Sequence, residues 1–292
     1  MAASTLAPGT EFVLTVSCDE RPGLLHAVSG FLVDHDANVT ESKQFDDRQA
    51  GKFFMRVQFE SASPAPLDEG KLRVDFAAVA RKYGMTWNLT DAAKRQRVLI
   101  MVSKYGHALN DLLFKASTGW LNIDVVAVVS NHPDLAPMAD DYDVPFYHVP
   151  VDPADKARAE AELLRLVDEL HADLVVLARY MQVLSDDLCR QLEGRAINIH
   201  HSMLPSFKGA RPYDQAYERG VKLVGATAHY VTADLDEGPI IEQTVQPVSH
   251  QMTAADFTAV GQDTECLALA RAVRLHTENR VLLEGQRTII FR

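Results

Sequence analysis

The chain is 292 residues long, 47% hydrophobic and 24% charged, with a formal net charge of −11 and a pI near 5.4; apolar material suffices for one large or two smaller cores, and scattered acidic charge excludes a general binder of nucleic acid. Its three cysteines, Cys18, Cys189 and Cys266, are far apart and odd in number, which excludes a disulfide framework and a CxxC metal knuckle and fits a reducing cytoplasm. With no basic-then-apolar leader in MAASTLAPGTEF and no apolar run of membrane-spanning length, a soluble cytoplasmic protein with no membrane partner is expected.

The first ninety residues alternate strand and helix patterns. FVLTVSC (Phe12 to Cys18) is rich in β-branched and aromatic residues, and ERPGLLHAVSGFLVDHD then sets Leu24, Leu25, Val28, Phe31 and Leu32 at helical spacing. NVTESKQFDD and GKFFMRVQFES form two further strand candidates around the hairpin connection DDRQAG. LRVDFAAVARKYG reads as a second helix closed by Gly84, ahead of a strand in MTWNLTD. The order is βαββαβ, a ferredoxin-like unit assigned to residues 1–91.

After the charged joint DAAKRQR, the pattern changes. VLIMVSK, DVVAVVSN, DLVVLARY and AINIHH are nearly continuous apolar runs, as in parallel strands covered on both faces. Helical stretches lie between them, including ALNDLLFKAST and ADKARAEAELLRLVDELHA, the latter with Leu163, Leu166, Val167 and Leu170 on one face. LVGATAHYVT and GPIIEQTVQPV are longer strands flanking ADLDEGP, and a helix begins at MTAADFTAV. Residues 92–292 are therefore expected to form an α/β domain with a Rossmann-like, doubly wound, mostly parallel sheet.

AINIHHSMLPSFKGARPYDQA crowds Asn198, His200 and His201 into the end of one such run. Strand alternation puts Asn198 and His200 on one face and His201 on the other, so the two histidines are not expected to share a metal ion. Open α/β sheets bind ligands beyond the carboxyl ends of their strands, where an Asn and a His on one face suit a polarised carbonyl oxygen. An acid or base is still needed, and the loop TAHYVTADLDEGPII supplies Asp234 and Asp236. Either aspartate also fits an ordinary solvated turn.

NIHHSMLPSFKGARPYDQA together with GATAHYVTADLDEGPIIEQ resembles the formyltransferase fold family, whose members use 10-formyltetrahydrofolate. Its catalytic Asn, His and Asp fall on Asn198, His200 and Asp236. The resemblance implies that Arg179, Tyr180, Met181, Gln182, Val183 and Leu184 of LARYMQVLS, with Thr232 and Asp234 of the aspartate loop, hold the folate ring, and that His229 sits near the formyl group. Lys208 and Arg211 either meet the folate's glutamate tail or remain solvated. The N-terminal unit resembles an ACT domain, a small-molecule sensor, which implies an effector such as glycine or methionine where DERPGLL meets ANVTE: Asp19, Gly23, Leu24 and Leu25 with Asn38 and Val39. Such domains commonly pair, so a homo-oligomer is implied.

An ACT unit ahead of a formyl-folate domain is the arrangement of the family's deformylase branch, which implies hydrolysis of the substrate to formate and tetrahydrofolate. That reaction would supply formate for purine biosynthesis and balance one-carbon folate pools, with no metal and no cofactor beyond the folate substrate. The turn VSKYGHALNDLL, after the first strand of this domain, has one glycine and bulky Tyr105 and His107. It is poorly built for close backbone approach to a phosphorylated acceptor, which leaves water as nucleophile. The alternatives are transfer to an amine acceptor, a formyl-folate sensor without catalysis, and a metal-dependent hydrolase.

Overall fold

The computed structural model describes residues 10–205 and 212–292; Lys208 and Arg211 lie outside them. The chain divides into two compact units, one built on residues up to Arg95 together with Glu278–Glu284 and Ile289–Arg292, the other on Gln96–Thr277 with Gly285–Thr288. The sequence division at 91/92 assigned the whole C-terminal tail to the second domain; by packing, most of it goes with the first.

In the first unit the expected βαββαβ order is present: β1 (Glu11–Asp19), α1 (Leu24–Asp34), β2 (Ala37–Asp47), β3 (Lys52–Ser61), α2 (Glu69–Tyr83) and β4 (Thr86–Asp91). The strands lie in the order β2-β3-β1-β4, all pairs antiparallel, the ferredoxin-like sheet. Phe12, Leu14 and Val16 alternate on β1 and pack with Phe31 and Leu32 of α1 and Leu72 and Phe76 of α2, which is why one face of each element is apolar. The helix α2 starts at Asp68, whose side chain accepts from the Lys71 amide, and ends at Gly84 with φ 66°, the left-handed cap glycine tolerates. On β3, the fully buried Arg56 pairs with Glu41 and donates to the Glu278 carbonyl at 3.1 and 3.3 Å, tying down the start of the C-terminal segment. That segment carries β12 (Val281–Glu284) and β13 (Arg287–Ile290), a hairpin absent from the sequence reading.

In the second unit, β5 (Gln96–Val102), α3 (His107–Ser117), β6 (Ile123–Ser130), α4 (Ala136–Asp140), β7 (Phe146–His148), α5 (Lys156–Glu169), β8 (Leu174–Leu177), α6 (Asp186–Gln191) and β9 (Ala196–His200) alternate. They are followed by α7 (Pro212–Glu218), β10 (Leu223–Tyr230), β11 (Ile240–Pro247) and α8 (Ala254–Thr277). The sheet order is β11-β10-β9-β8-β5-β6-β7. From β9 to β7 the neighbours are parallel, and β10 and β11 add an antiparallel edge. Winding reverses between β5 and β8, so the crevice at their carboxyl ends is the switch point where such sheets take ligands. Val98 to Val102 and Leu174 to Leu177 are all buried, the continuous apolar strands that covering on both faces requires.

Candidate active site

Beyond the carboxyl ends of β8 and β9 lies a cavity of about 760 Å³ lined from β8, β9, β10, α7, α8, the turn from β5 into α3 and the loops after β8 and β10. Asn198, His200, His229 and Asp236 all line it. On β9, Asn198 and His200 share a face, and β10 sets His229 opposite Asn198 in the ladder. His200 Nδ1 lies 3.2 Å from Asp236 Oδ2, and His229 Nε2 lies 3.6 Å from Asp236 Oδ1. The Asn198 amide nitrogen is 3.3 Å from His229 Nε2. His229 Nδ1 faces the Tyr230 carbonyl at 2.9 Å; a carbonyl only accepts, so this nitrogen donates and the ring is oriented.

Asp236 reaches His200 because its loop is held against β10. Its backbone takes φ 57°, a left-handed conformation that aspartate tolerates better than most residues. Two residues on, a Cβ at Gly238 would fall 1.8 Å from the Tyr230 carbonyl oxygen, so only glycine fits. Burial opposes ionisation of Asp236, but the adjacent His200 and His229 outweigh it and hold the carboxyl well below its usual range. His200 is only 7% exposed, and its Nε2 has no partner among the described residues.

The 179–184 loop lines the cavity throughout. It is pinned at the switch point, where the Met181 amide donates to Ser103 Oγ at 2.9 Å and Ser103 in turn donates to Asn131 at 2.7 Å. Met181 and Val183 are more than half exposed, as is Leu235 on the aspartate loop; these are apolar walls of a slot rather than core. Thr232 lines the cavity and donates to the Asp234 carbonyl. Asp234 itself is exposed and is not part of the lining.

Strand parity fails for His201. β9 ends at His200, so alternation no longer applies to the next residue, and His201 lines the same cavity with its ring 4.9 Å from that of His200 and 6.3 Å from that of Tyr213. Burial first, then the charges of Arg179 and His200, push its pKa down to about 4.

A second polar group on the lining was missed by the sequence reading. Glu265 of α8 is 0% exposed. It accepts from the Tyr213 hydroxyl at 2.5 Å, meets His107 Nε2 at 2.8 Å and lies 3.4 Å from Arg179 Nε. Burial opposes its ionisation, and His107, Arg179 and Tyr213 overcome this, so its pKa is lowered. The signal was present in a helical stripe: Thr258, Gly261, Gln262 and Glu265 follow one another by three, one and three residues, and the three polar ones line the cavity.

In the first unit, Asp19 pairs with Lys52 at 2.8 Å and Gly23, with φ 93°, precedes the buried Leu24 and half-exposed Leu25 at the start of α1. Asn38 and Val39 lie on the edge strand β2 opposite Glu60 and Phe59, whereas Asp19 lies opposite Lys52. Lys52 to Glu60 spans eight residue steps along β3, about 26 Å. One copy of the chain therefore does not bring these six effector candidates together.

Among the described residues no group of three or more His, Cys, Asp or Glu side chains is placed to hold a metal ion, and no helix is long and apolar enough to cross a membrane.

The doubly wound sheet and the amide, imidazole and carboxylate gathered on the cavity at its strand ends are those of a formyl-group enzyme: residues 96–273 match the family described as formyl transferase, and residues 12–69 that described as ACT domain. The chain belongs to this formyl transferase family, within its formyltetrahydrofolate deformylase branch. It is 54% identical over 280 residues to the formyltetrahydrofolate deformylase of Corynebacterium sp. (strain P-1), covering 96% of this chain and 98% of that one. The enzyme of that name from Bacillus subtilis (strain 168) is 44% identical over 279 residues, 95% and 93% of the two chains. The crystal structure of formyltetrahydrofolate deformylase from Burkholderia mallei superposes with a TM-score of 0.93 at 50% identity, over 97% of this chain and 100% of that one.

Proposed function

We propose that the chain hydrolyses 10-formyltetrahydrofolate to formate and tetrahydrofolate. The observation that carries this reading is the convergence of Asn198, His200 and Asp236 on one cavity, with His200 held 3.2 Å from the carboxylate. Asn198 donates to the formyl oxygen, and His200 stabilises the oxyanion that develops as water adds; both act most strongly on the tetrahedral transition state. Asp236, ionised and fixed by His200 and His229, takes a proton from the attacking water. The water oxygen bonds to the formyl carbon, the bond from that carbon to N10 breaks, and N10 receives the proton as formate leaves.

The apolar slot of Met181, Val183 and Leu235 suits the flat pterin, with the 179–184 backbone and Thr232 supplying polar contacts; Arg179, Tyr180, Gln182, Leu184 and Asp234 complete the proposed substrate set. Formate release would serve purine biosynthesis and folate balance in the cytoplasm. In the ACT unit, an amino acid such as glycine or methionine binds between copies of the chain, with Asp19, Gly23, Leu24 and Leu25 from one and Asn38 and Val39 from another, in a homo-oligomer. The deciding experiment is incubation with 10-formyltetrahydrofolate alone: stoichiometric formate is expected, and none without an added amine would overturn the reading in favour of transfer.

A further inference from the structure

We propose that Glu265 and the side chains gathered on it, Tyr105, His107, Arg179 and Tyr213, form a wall that reserves the formyl carbon for water by closing the cavity to an anionic amine acceptor. The inference deepens the hydrolase reading and rests on it. Tyr105 and His107 come from the turn after β5, and His107 opens α3. The carboxyl end of such a strand and the N-terminus of the helix that follows are where doubly wound folds receive anionic ligands. Here the first side chain of that helix is already taken by a carboxylate of the protein itself, His107 Nε2 being bonded to Glu265 at 2.8 Å.

The wall is rigid because each part is fixed from a different element. Tyr213 of α7 lies so close to α8 that a Cβ at Gly261 would fall 2.1 Å from its ring, and one helical turn on, its hydroxyl meets Glu265 at 2.5 Å. Arg179, held at φ 68°, reaches Glu265 at 3.4 Å and covers the Tyr105 ring at 5.2 Å. The His201 ring, between those of His200 and Tyr213, brings the wall to the edge of the catalytic group. A phosphorylated amine entering here would have to displace a buried, fully partnered carboxylate or lie against its charge, both costly where the charge is out of contact with solvent. Water needs no such room.

The two outcomes balance differently. In hydrolysis the new bond joins the water oxygen to the formyl carbon; in transfer it joins the amine nitrogen to that carbon, and the amine's proton goes to N10 as the C–N10 bond breaks. The test uses the full chain, 10-formyltetrahydrofolate and O-phosphoethanolamine as acceptor, with formate and N-formyl product both quantified. For the parent, formate alone is expected, at a rate indifferent to the amine. For Tyr105→Ser with His107→Ser, and separately for the near-isosteric Glu265→Gln, N-formyl product at least tenfold above the detection limit of the assay is expected, with formate falling in proportion. Melting temperatures identify the folded variants, and Glu265→Gln decides if the double variant does not fold. Folded variants that yield formate alone, or that lose hydrolysis without responding to the amine, overturn the proposal. A parent that releases no formate overturns the hydrolase reading instead.

Discussion

Asn198, His200 and Asp236 are each placed for a separate part of the proposed chemistry, so single removals should act on turnover rather than folding. Asn198→Ala, His200→Ala and Asp236→Asn are each expected to lower formate release by about a hundredfold or more, with melting temperatures near the parent's. Parental turnover in Asp236→Asn would remove it as base. Acid sensitivity between pH 6.5 and 4 draws on two other residues. His201 and His276 are each held neutral by burial, with pKa values pushed down to about 4 from 6.5. The folded state then binds fewer protons than the unfolded chain between those values, so stability is fully present above pH 6.5 and is lost as pH falls toward 4, on the order of 3 kcal/mol per group. Denaturant titrations at pH 7 and 4.5 should show the loss, and His276→Asn should reduce it.

The long helix α8 and the strand β3 carry the least local and most consequential contacts. Gly261 lets Tyr213 approach α8, so Gly261→Ala is expected to cost about 1–3 kcal/mol through overpacking, read as a lower denaturation midpoint, and to displace Tyr213 from Glu265. On β3, burial pushes Arg56 down to about 10, with Arg280 adding to the effect and Glu41 opposing it. Arg56→Met removes a donor from the Glu278 carbonyl and one cation from Glu41. Its expected cost lies near the lower end of about 3–5 kcal/mol, since Arg280 still reaches Glu41, and amide hydrogen exchange at residues 278–284 should quicken. Unchanged exchange there would mean that the hairpin, not Arg56, anchors the segment. Most of these elements were legible in the sequence: Leu163, Leu166 and Val167 mark the buried face of α5, and Gly84 marks the end of α2. The three-residue β7 and the five-residue α4 were not, because segments that short carry too few positions to establish a period.

For the whole molecule, the separation of Asp19 from Asn38 by the length of β3 turns effector binding into a question about assembly. If glycine or methionine binds between copies, it should raise the melting temperature and favour the larger species in sedimentation, with the shift depending on protein concentration. An amino-acid response independent of concentration would place the site within one copy.

The sequence by itself determined both sheet types, the order of the longer strands and helices along the chain, and the local setting of Asn198, His200 and Asp236, because periodicity and turn chemistry depend on neighbours a few residues away. Tertiary structure decided the rest. It turned His201 into the cavity once the strand had ended, split the effector candidates along β3, carried residues 278–284 to the first unit, and joined His107 to Glu265 across 158 positions. Contacts of that range follow from how elements pack, and no local pattern in His107 or Glu265 records which partner packing will bring.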